Sequence, residues 1–339
     1  MKGTTGNRLL EVIGQFAGQR LAVLGDFLAD VFVYGTPSRL SREAPVPILS
    51  HQAERTVPGS AGNVARNLAA LGASVSCIGA VGADRAGKAL REGLQEAGAD
   101  VSALREYDEL HTCTKTRIMA GGPNRAKQQV VRIDREENGA LPDKVQQELI
   151  EELESRLGQV DGLILSDYLT RTITEPVIEK ADAWTDRCPV VVDSRYQLHR
   201  FRGVTAATPN QEEFENCLHT TLSENHDIEE SCGELRSTLC LDALLVTRGN
   251  DGMTLCQEGS GPVSIPIVGR EDVTDVTGAG DTVVGVFTLA VASGASYVEA
   301  AHLANHAAGV VVTKAETATC EPTELEASLR LSMTYEETE

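Results

Sequence analysis

The sequence predicts an α/β fold in which helices cover both faces of a mostly parallel sheet. Three observations lead to this prediction. Short apolar runs, such as residues 74–82 and 161–168, alternate with segments of helical period, as they do in strand–helix–strand units. Each run contains a stretch of consecutive apolar residues, which is typical of parallel strands buried on both faces. The 339-residue chain also has 31 glycines, and glycine suits the tight turns that join strands to helices.

The first part of the chain shows this alternation twice. Residues 21–30, LAVLGDFLAD, predict a buried strand that runs into a loop. Residues 61–73 have helical period, and residues 74–82 predict the next strand. A second helical segment follows at 87–99. Helical spacing of apolar residues, rather than strict alternation, distinguishes these segments from strands.

A predicted hairpin then interrupts the alternation of strands and helices. Two strand-like runs, 112–119 and 127–134, flank the turn sequence AGGPNRA, and a glycine-containing loop between such runs is a hairpin signal. The hairpin does not fit a parallel sheet. We therefore predict a small β appendage, formed by residues of about 112–135 and paired with strand-like runs in residues of about 31–50.

From residue 143 onward the strand–helix alternation resumes. Helices are predicted at 143–157 and 174–186, with strands at 161–168 and 189–194. A strand end at 204–210, a strand at 241–249 and about 60 largely helical residues complete the chain. Because the chain contains no internal repeat and no low-complexity linker, we predict a single domain over residues 1–339.

Charge and composition argue against several classes of protein. The formal net charge is −20, so nucleic acid and anionic membrane are not expected as partners. The eight cysteines form no C-x-x-C pair, which argues against a disulfide framework or a zinc ribbon. The first 20 residues lack the features of a signal peptide, and no apolar run reaches the length of a membrane span. We expect a cytoplasmic protein.

One motif carries the chemistry, the sequence DVTGAGDT at 275–282. Gly278, Ala279 and Gly280 precede an apolar helix predicted from about Thr282. Small residues leave the backbone amides of a helix N-terminus open, and open amides with the positive end of the helix dipole bind anions. Asp281 would lie beside such an anion hole as the base that accepts a hydroxyl proton. The alternative is a carboxylate that only caps the helix.

Three other nucleotide- or metal-binding motifs are each incomplete, because one required residue is missing. The pattern G-x-G-x-x-G is broken by Val283. The P-loop-like sequence GADRAGKA at 82–89 ends in alanine, where a hydroxyl is needed for Mg²⁺. His302 and His306 have zinc-like spacing but lack the glutamate of H-E-x-x-H.

Three separated motifs together resemble the ribokinase/PfkB family of carbohydrate kinases. They are PGSAGNVARNLAALGA at 58–73, GAVGADRAGKAL at 79–90 and DVTGAGDT at 275–282. GDFLADVFVYGTPSRLSREAPVPIL at 25–49 is more similar to the branch of D-glycero-β-D-manno-heptose-7-phosphate kinases. The resemblance covers about residues 20–326. It implies a ribokinase-like three-layer α/β/α fold with a β lid, and an ATP- and Mg²⁺-dependent enzyme that phosphorylates O1 of the heptose phosphate.

The resemblance also implies roles for individual residues. Asp281 would be the catalytic base, with Gly278, Ala279 and Gly280 as the anion hole. The sugar hydroxyls would be held by Asp30, Gly59 and Asn63; Mg²⁺ and the phosphates would be organised by Asn210 and Glu213; the nucleotide would contact Thr247, Arg248, Gly249 and Asn305; and a monovalent cation such as K⁺ would lie at Asp275 and Thr277. Simple capping or solvated roles are the alternatives for Asp30, Asn63, Asn210 and Glu213. Ser60 stands where the branch commonly has glycine, which leaves the acceptor open.

The predicted hairpin is basic within an acidic chain. Residues 112–135 contain six basic side chains and one acid, Asp134. Arginine and lysine bind phosphate, and strand alternation places Lys115 and Arg117 on one face, so we predict that these two hold a phosphate on the sugar. A solvated hairpin face or a subunit interface would explain the charge equally well. By resemblance, the lid would also join two subunits of a homodimer.

Three other functions remain open at this stage. The protein could phosphorylate another sugar, sugar phosphate or nucleoside. It could be a sugar or nucleotide sensor without catalysis, which the intact Asp281 argues against. A Rossmann dehydrogenase is disfavoured because the third glycine of its motif is missing.

Overall fold

Thirteen strands and ten helices are present in the computed structural model, which describes residues 3–122, 127–137, 139–168, 171–222, 224–269 and 274–336. The strands are β1 (Arg20–Gly25), β2 (Phe27–Leu40), β3 (Pro47–Ser60), β4 (Ser74–Gly82), β5 (Leu104–Tyr107), β6 (Thr114–Ala120), β7 (Gln128–Arg135), β8 (Gly162–Asp167), β9 (Val190–Ser194), β10 (Ala206–Ala207), β11 (Ala243–Thr247), β12 (Met253–Gln257) and β13 (Val263–Ile265). The helices are α1 (Gly3–Ile13), α2 (Ala61–Ala70), α3 (Arg85–Glu96), α4 (Asp143–Arg156), α5 (Glu175–Trp184), α6 (Gln211–Leu218), α7 (Asn225–Leu239), α8 (Ala279–Ala292), α9 (Tyr297–Val311) and α10 (Pro322–Glu336).

Nine strands form the central sheet, in the order β13-β12-β11-β10-β9-β8-β1-β4-β5. The pairs from β11 through β5 are parallel, and only the pairs β11–β12 and β12–β13 are antiparallel. Residues Leu21–Leu24 of β1 are fully buried, as expected for a central strand covered on both faces. The predicted fold class is confirmed.

Helices cover both faces of this sheet with separate apolar clusters. On one face, α2 and α8 contribute side chains such as Leu68 and Phe287, which are fully buried. On the other face, α4 and α7 contribute Leu153 and Cys232. The three-layer arrangement leaves the carboxyl ends of the parallel strands open at one edge. In such folds ligands bind at that edge.

Four strands form a second sheet, in the order β3-β2-β6-β7, which we call the lid. The hairpin of β6 and β7 is antiparallel, and β6 runs parallel to β2. The strands of the first lid segment extend further than 31–50, because β2 and β3 pair from Phe27 and Ser60 to Leu40 and Pro47. The turn sequence of the hairpin, including Arg125, lies partly outside the described residues.

The loop expected within residues 26–30 was wrong, because β2 begins there. The chain leaves the central sheet at Gly25, where a Cβ atom would lie 2.3 Å from the carbonyl oxygen of Ser166. The amide of Asp26 donates to that same carbonyl at 3.0 Å. A glycine therefore lets β1 approach β8 closely and then turn directly into the lid.

Two helices differ from the expectation. Helix α1 was not predicted, and α8 begins at Ala279 rather than near Thr282. None of the described helices combines the length and hydrophobicity that crossing a bilayer requires.

Candidate active site

The site is built around the N-terminus of α8. Gly278 precedes the helix with φ 80°, and a Cβ atom there would lie 2.4 Å from Nδ2 of Asn63, so glycine is required on both counts. The Ala279 amide donates to the Val276 carbonyl at 3.2 Å and closes the turn. Around Gly280, by contrast, no other part of the described chain beyond its own helix turn and chain neighbours comes within 4 Å of an added Cβ position. The helix N-terminus therefore opens onto free space at Gly280.

Asp281 lies beside this opening and is held by α2. Its Oδ2 accepts a hydrogen bond from Nδ2 of Asn63 at 2.9 Å. Burial raises the pKa of Asp281 to about 7, the Asn63 bond opposes that rise, and the nearby Asp30 carboxylate adds to it. A carboxylate with a pKa near the working pH is well matched to general base catalysis.

The pKa of Asp281 gives a pH prediction. If Asp281 is the base, kcat/KM should rise as pH passes through about 7. Asn63 donates to the charged form of Asp281, so replacing Asn63 with alanine removes a bond that lowers this pKa. The acid limb of the profile should then move to higher pH by about one unit. A pH–rate profile of both proteins measures this, and an acid limb that does not move would contradict the role of Asn63.

On the lid side, the predicted sugar-binding residues lie together. Oδ2 of Asp30 lies 2.6 Å from the position that a Cβ atom of Gly59 would take, and Oδ1 pairs with Nη1 of Arg117. The side chains of Asp30 and Arg117 are 5% and 11% exposed. The structure thus places Arg117 against Asp30, where it orients that carboxylate, rather than in open space.

Lys115 makes a different contact. Its Nζ lies 2.5 Å from the hydroxyl of Tyr168 and 3.8 Å from the centroid of the Tyr168 ring. Nη1 of Arg195 donates to the same hydroxyl at 2.9 Å. Burial lowers the pKa of Lys115 to about 8; Asp30 opposes this effect, and the positive charges of Arg195 and Arg132 add to it. Two cations therefore share one hydroxyl, and for neither is an ion pair found among the described residues.

Two cavities meet at Gly280. The first is polar, measures about 370 Å³ and lies over the ends of β8, β9 and β11. Its lining includes Asp193, Arg195, Asn210, Glu213 and Thr247. The second is largely apolar and measures about 160 Å³. The polar cavity suits phosphate groups, because phosphates need polar surroundings, and the apolar cavity suits a nucleotide base.

The residues predicted for nucleotide binding divide between these cavities. Asn210 and Glu213 form a capping box at α6, with reciprocal bonds of 2.9 Å between side chains and amides, and both still line the polar cavity. Gly249 and Asn305 line the apolar cavity, and Thr247 lines both. Arg248 differs, because its Nη2 donates to Oδ1 of Asn225 at 2.5 Å.

The turn before the anion hole contains the predicted cation residues. Oδ1 of Asp275 accepts a hydrogen bond from the amide of Thr277 at 2.9 Å. The amides of Thr274 and Asp275 donate to the carbonyl of Val312. These bonds fix the turn one residue before Gly278.

The sequence reasoning missed Asp193 at the end of β9. Its pKa is raised well above its usual value by burial and by the charges of Glu213, Asp281 and Asp167. Burial also raises the pKa of Glu213. Arg195 and Tyr168 were missed as well. Asp193 lies in the last two residues of β9, and Arg195 and Tyr168 directly follow β9 and β8. The signal in the sequence was a polar residue directly after an apolar run.

The carboxylates fit a divalent cation that is only partly held by protein. Crowded carboxylates favour a nearby positive charge, and oxygen ligands suit Mg²⁺. Among the described residues, no three potential ligands are close enough to hold an ion by themselves. Mg²⁺ commonly binds through one or two carboxylates together with water and substrate phosphates, so Glu213 and Asp193 are suitable ligands.

A family model and curated relatives match most of this chain. Residues 19–324 match the family described as pfkB family carbohydrate kinase. The Bifunctional protein HldE of Citrifermentans bemidjiense is 40% identical over 314 residues, which cover 91% of this chain and 63% of that protein. The chain thus spans less than two thirds of the length of this curated relative.

Solved structures share the fold. Phosphofructokinase-2 from Escherichia coli, in complex with substrates and products, aligns with a TM-score of 0.76 and 18% identity, covering 92% of this chain and 99% of that one. Arabidopsis thaliana ribokinase, complexed with ribose and ATP, aligns with a TM-score of 0.69, 18% identity and the same coverage of each chain.

Proposed function

This chain belongs to the pfkB family of carbohydrate kinases, and from that membership we propose that it phosphorylates O1 of D-glycero-β-D-manno-heptose 7-phosphate with ATP. ATP-dependent phosphoryl transfer to a sugar follows from the family itself. The choice of the heptose phosphate is supported by the similarity of residues 25–49 to that branch. The observation that carries the proposed mechanism is the position of Asp281, a carboxylate of pKa about 7 beside an open helix N-terminus.

In the proposed mechanism Asp281 accepts the proton of the acceptor hydroxyl. The hydroxyl oxygen forms a bond to the γ-phosphorus of ATP, and the bond from that phosphorus to the β–γ bridging oxygen breaks, leaving ADP. The amide of Gly280 and the dipole of α8 stabilise the negative charge of the transferred group. Asn63 keeps the Asp281 carboxylate oriented toward the acceptor.

Metal ions have a limited place in this proposal. Mg²⁺ held by Glu213 and Asp193 would neutralise charge on the ATP phosphates. Asp275 and Thr277 are assigned to a monovalent cation such as K⁺, which would stabilise the turn before Gly278. A comparison of turnover in K⁺ and in a bulky organic cation tests this assignment.

The Lys115 and Arg195 pair supports an acceptor that already carries a phosphate. Both cations contact the Tyr168 hydroxyl, at 2.5 and 2.9 Å. Like charges this close repel each other, and a phosphate dianion would relieve the repulsion while accepting hydrogen bonds from both. We therefore assign the acceptor phosphate to Lys115 and Arg195, and Arg117 to orienting Asp30.

This assignment predicts a selective defect. Replacing Arg195 with glutamine should raise KM for the sugar phosphate by about tenfold or more, because a charge-assisted hydrogen bond is lost. KM for ATP should change little, and an unphosphorylated sugar should be used as poorly as before. Arg187→Gln, at an exposed position after α5, is the control. An equal rise in KM for ATP would instead place Arg195 on the nucleotide phosphates.

The proposed function is tested by ADP release with Mg-ATP and a panel of acceptors. The panel should contain the heptose 7-phosphate, a ketohexose phosphate, a nucleoside and unphosphorylated sugars. Selective turnover of the heptose phosphate, with the product phosphorylated at O1, supports the proposal. Selective turnover of another acceptor overturns the substrate but not the chemistry, and ATP binding without turnover of any acceptor favours a sensor.

We also propose that two copies associate through the outer face of the lid. Val131 and Ile133 of β7 are 47% and 58% exposed, and they lie in register with Ile118 and Thr116 of β6. Exposed apolar residues grouped on one sheet face favour association, and two identical faces pair around a twofold axis. Sedimentation should give about twice the chain mass of 36.2 kDa. A monomer at micromolar concentration would contradict this.

A further inference from the structure

The loop between α9 and α10 contains a residue in an unfavourable backbone conformation. Glu316 has φ 62°, in the left-handed region that favours glycine and disfavours longer side chains. A residue remains in such a conformation when its surroundings stabilise it, and these positions are often functional. The side chain of Glu316 therefore needs an explanation.

Its carboxylate binds two strands of the lid. Oε1 accepts a hydrogen bond from the hydroxyl of Tyr34 on β2, and Oε2 pairs with Nη1 of Arg55 on β3 at 2.8 Å. The Glu316 side chain is only 22% exposed. The Tyr34 ring stacks on Phe32 at 6.5 Å between centroids, and Phe32 lies under the Arg117 guanidinium at 5.3 Å. Glu316 is thus linked to the residues that face the acceptor.

The next residue contacts the anion hole. Cγ2 of Thr317 lies 2.9 Å from the position that a Cβ atom of Gly278 would take. The carbonyl of Thr317 accepts a hydrogen bond from Nη1 of Arg66 at 3.1 Å. Thr317 is therefore fixed between α2 and the turn that starts α8. A displacement of Glu316 would be transmitted to Thr317 and from there to Gly278.

We propose that Glu316 is a positioning residue. It holds the lid closed over the acceptor and keeps the closed lid correctly placed relative to the anion hole. It acts through Tyr34 and Arg55 on the lid, and through Thr317 on Gly278. This inference rests on the proposed kinase function. Because a closed lid excludes water from the transferring phosphate, loss of the Glu316 carboxylate should weaken acceptor binding and allow ATP hydrolysis without acceptor.

The test uses Glu316→Gly, which removes the carboxylate and also the backbone strain. If Glu316 only stabilises the fold, this variant should keep its kinetics. If Glu316 positions the lid, KM for the acceptor should rise about tenfold, as expected for lost charge-assisted bonds. ADP release without acceptor should also increase, while KM for ATP and the melting temperature stay nearly unchanged. Tyr34→Phe should reproduce part of the effect and add little to Glu316→Gly.

A matched control is Glu54→Gln. Glu54 on β3 pairs with Arg85 on α3 at 3.1 Å, so it also ties the lid to the body. Within the described residues it has no hydrogen bond or ion pair to the loop between α9 and α10. This variant should leave KM for the acceptor and ADP release without acceptor unchanged. Unchanged acceptor KM and unchanged acceptor-free hydrolysis in Glu316→Gly would overturn the proposal.

Hydrogen exchange separates this inference from the proposed function, because it needs no turnover. The backbone amides of β2 and β3 around Tyr34 and Arg55 should exchange faster in Glu316→Gly than in the wild type. If no acceptor is phosphorylated by the wild type, the kinase proposal fails and the exchange result alone decides on the role of Glu316. Equal exchange in both proteins would overturn it.

Discussion

Replacing Asp281 with asparagine is expected to lower kcat by about 10³- to 10⁴-fold, toward the upper end of what a general base contributes. Asparagine has nearly the same shape but cannot accept the hydroxyl proton. The carboxylate lies 2.9 Å from Nδ2 of Asn63, and an amide oxygen can accept that same bond. The loss should therefore come from the chemistry and not from misfolding. Single-turnover phosphoryl transfer measures it.

Nucleotide binding provides the control for Asp281→Asn. ATP should bind with an affinity within a few-fold of the wild type, because Asp281 carries no role in holding the nucleotide. A kcat within tenfold of the wild type would show that another group accepts the proton. Loss of ATP binding would mean that the charge of Asp281 serves the nucleotide site instead.

Replacing Gly280 with alanine should reduce phosphoryl transfer by about 10²- to 10³-fold, the effect of disturbing an oxyanion-type site. Apart from the first turn of α8 itself, none of the residues that the structure describes lies within 4 Å of the added Cβ position, so the fold can accept the methyl group. Alanine is also the better helix former. The methyl group would instead occupy the space between the two cavities, where the transferred phosphate has to approach the amide.

The matched control is Gly285→Ala, one to two turns further along α8. Its added Cβ atom would lie 3.7 Å from Leu68 and from Val64, which is ordinary contact. Both variants should keep or slightly raise the melting temperature, but only Gly280→Ala should lose activity. Equal activity in the two variants would show that Gly280 does not face the phosphate.

The parallel sheet and the open helix N-terminus at Gly280 could be predicted because their signals are local. Apolar runs between helices predict the parallel strands, and the order Gly-Ala-Gly-Asp before an apolar helix predicts an open N-terminus at Gly280. The lengths of β2 and β3 could not be predicted in the same way. Their outer halves mix polar and apolar residues and are largely exposed, and they form strands because they pair with each other, which is a tertiary effect.

The cation pair at Tyr168 could not be predicted for a different reason. Lys115 is in the lid, Tyr168 follows β8 and Arg195 follows β9. They meet because β8 and β9 are neighbours in the sheet and because β6 lies beside β2, and neither order is encoded in a local pattern. The partner of Arg248 could not be predicted either. Family resemblance assigned this residue to the nucleotide, and in the structure its Nη2 donates to Oδ1 of Asn225 at the start of α7.

One departure from the family pattern, Ser60 in place of glycine, lies at a residue with an unusual backbone conformation. Ser60 stands where the resembling branch commonly has glycine, and the structure gives it φ 51° and ψ −126°. Such a sparsely populated backbone conformation costs a non-glycine residue about 1–3 kcal/mol. Ser60 precedes α2, which holds Asn63, so this cost lies next to the acceptor side of the site. Sequence alone could identify the substitution but not the conformation behind it.

The pairing of β2 with β6 also sets an order of assembly. Asp30 pairs with Lys115 across a long stretch of intervening chain, whereas β9 to β12 pair with strands close by in sequence. Contacts between distant parts of a chain form more slowly, because closing the larger loop costs more entropy. During refolding, amides of β11 and β12 should therefore be protected before the β6 amides that bond to β2 rather than to the neighbouring β7, as a pulsed hydrogen-exchange experiment can measure. The newly made chain would then acquire its nucleotide pocket first and its ability to select an acceptor last.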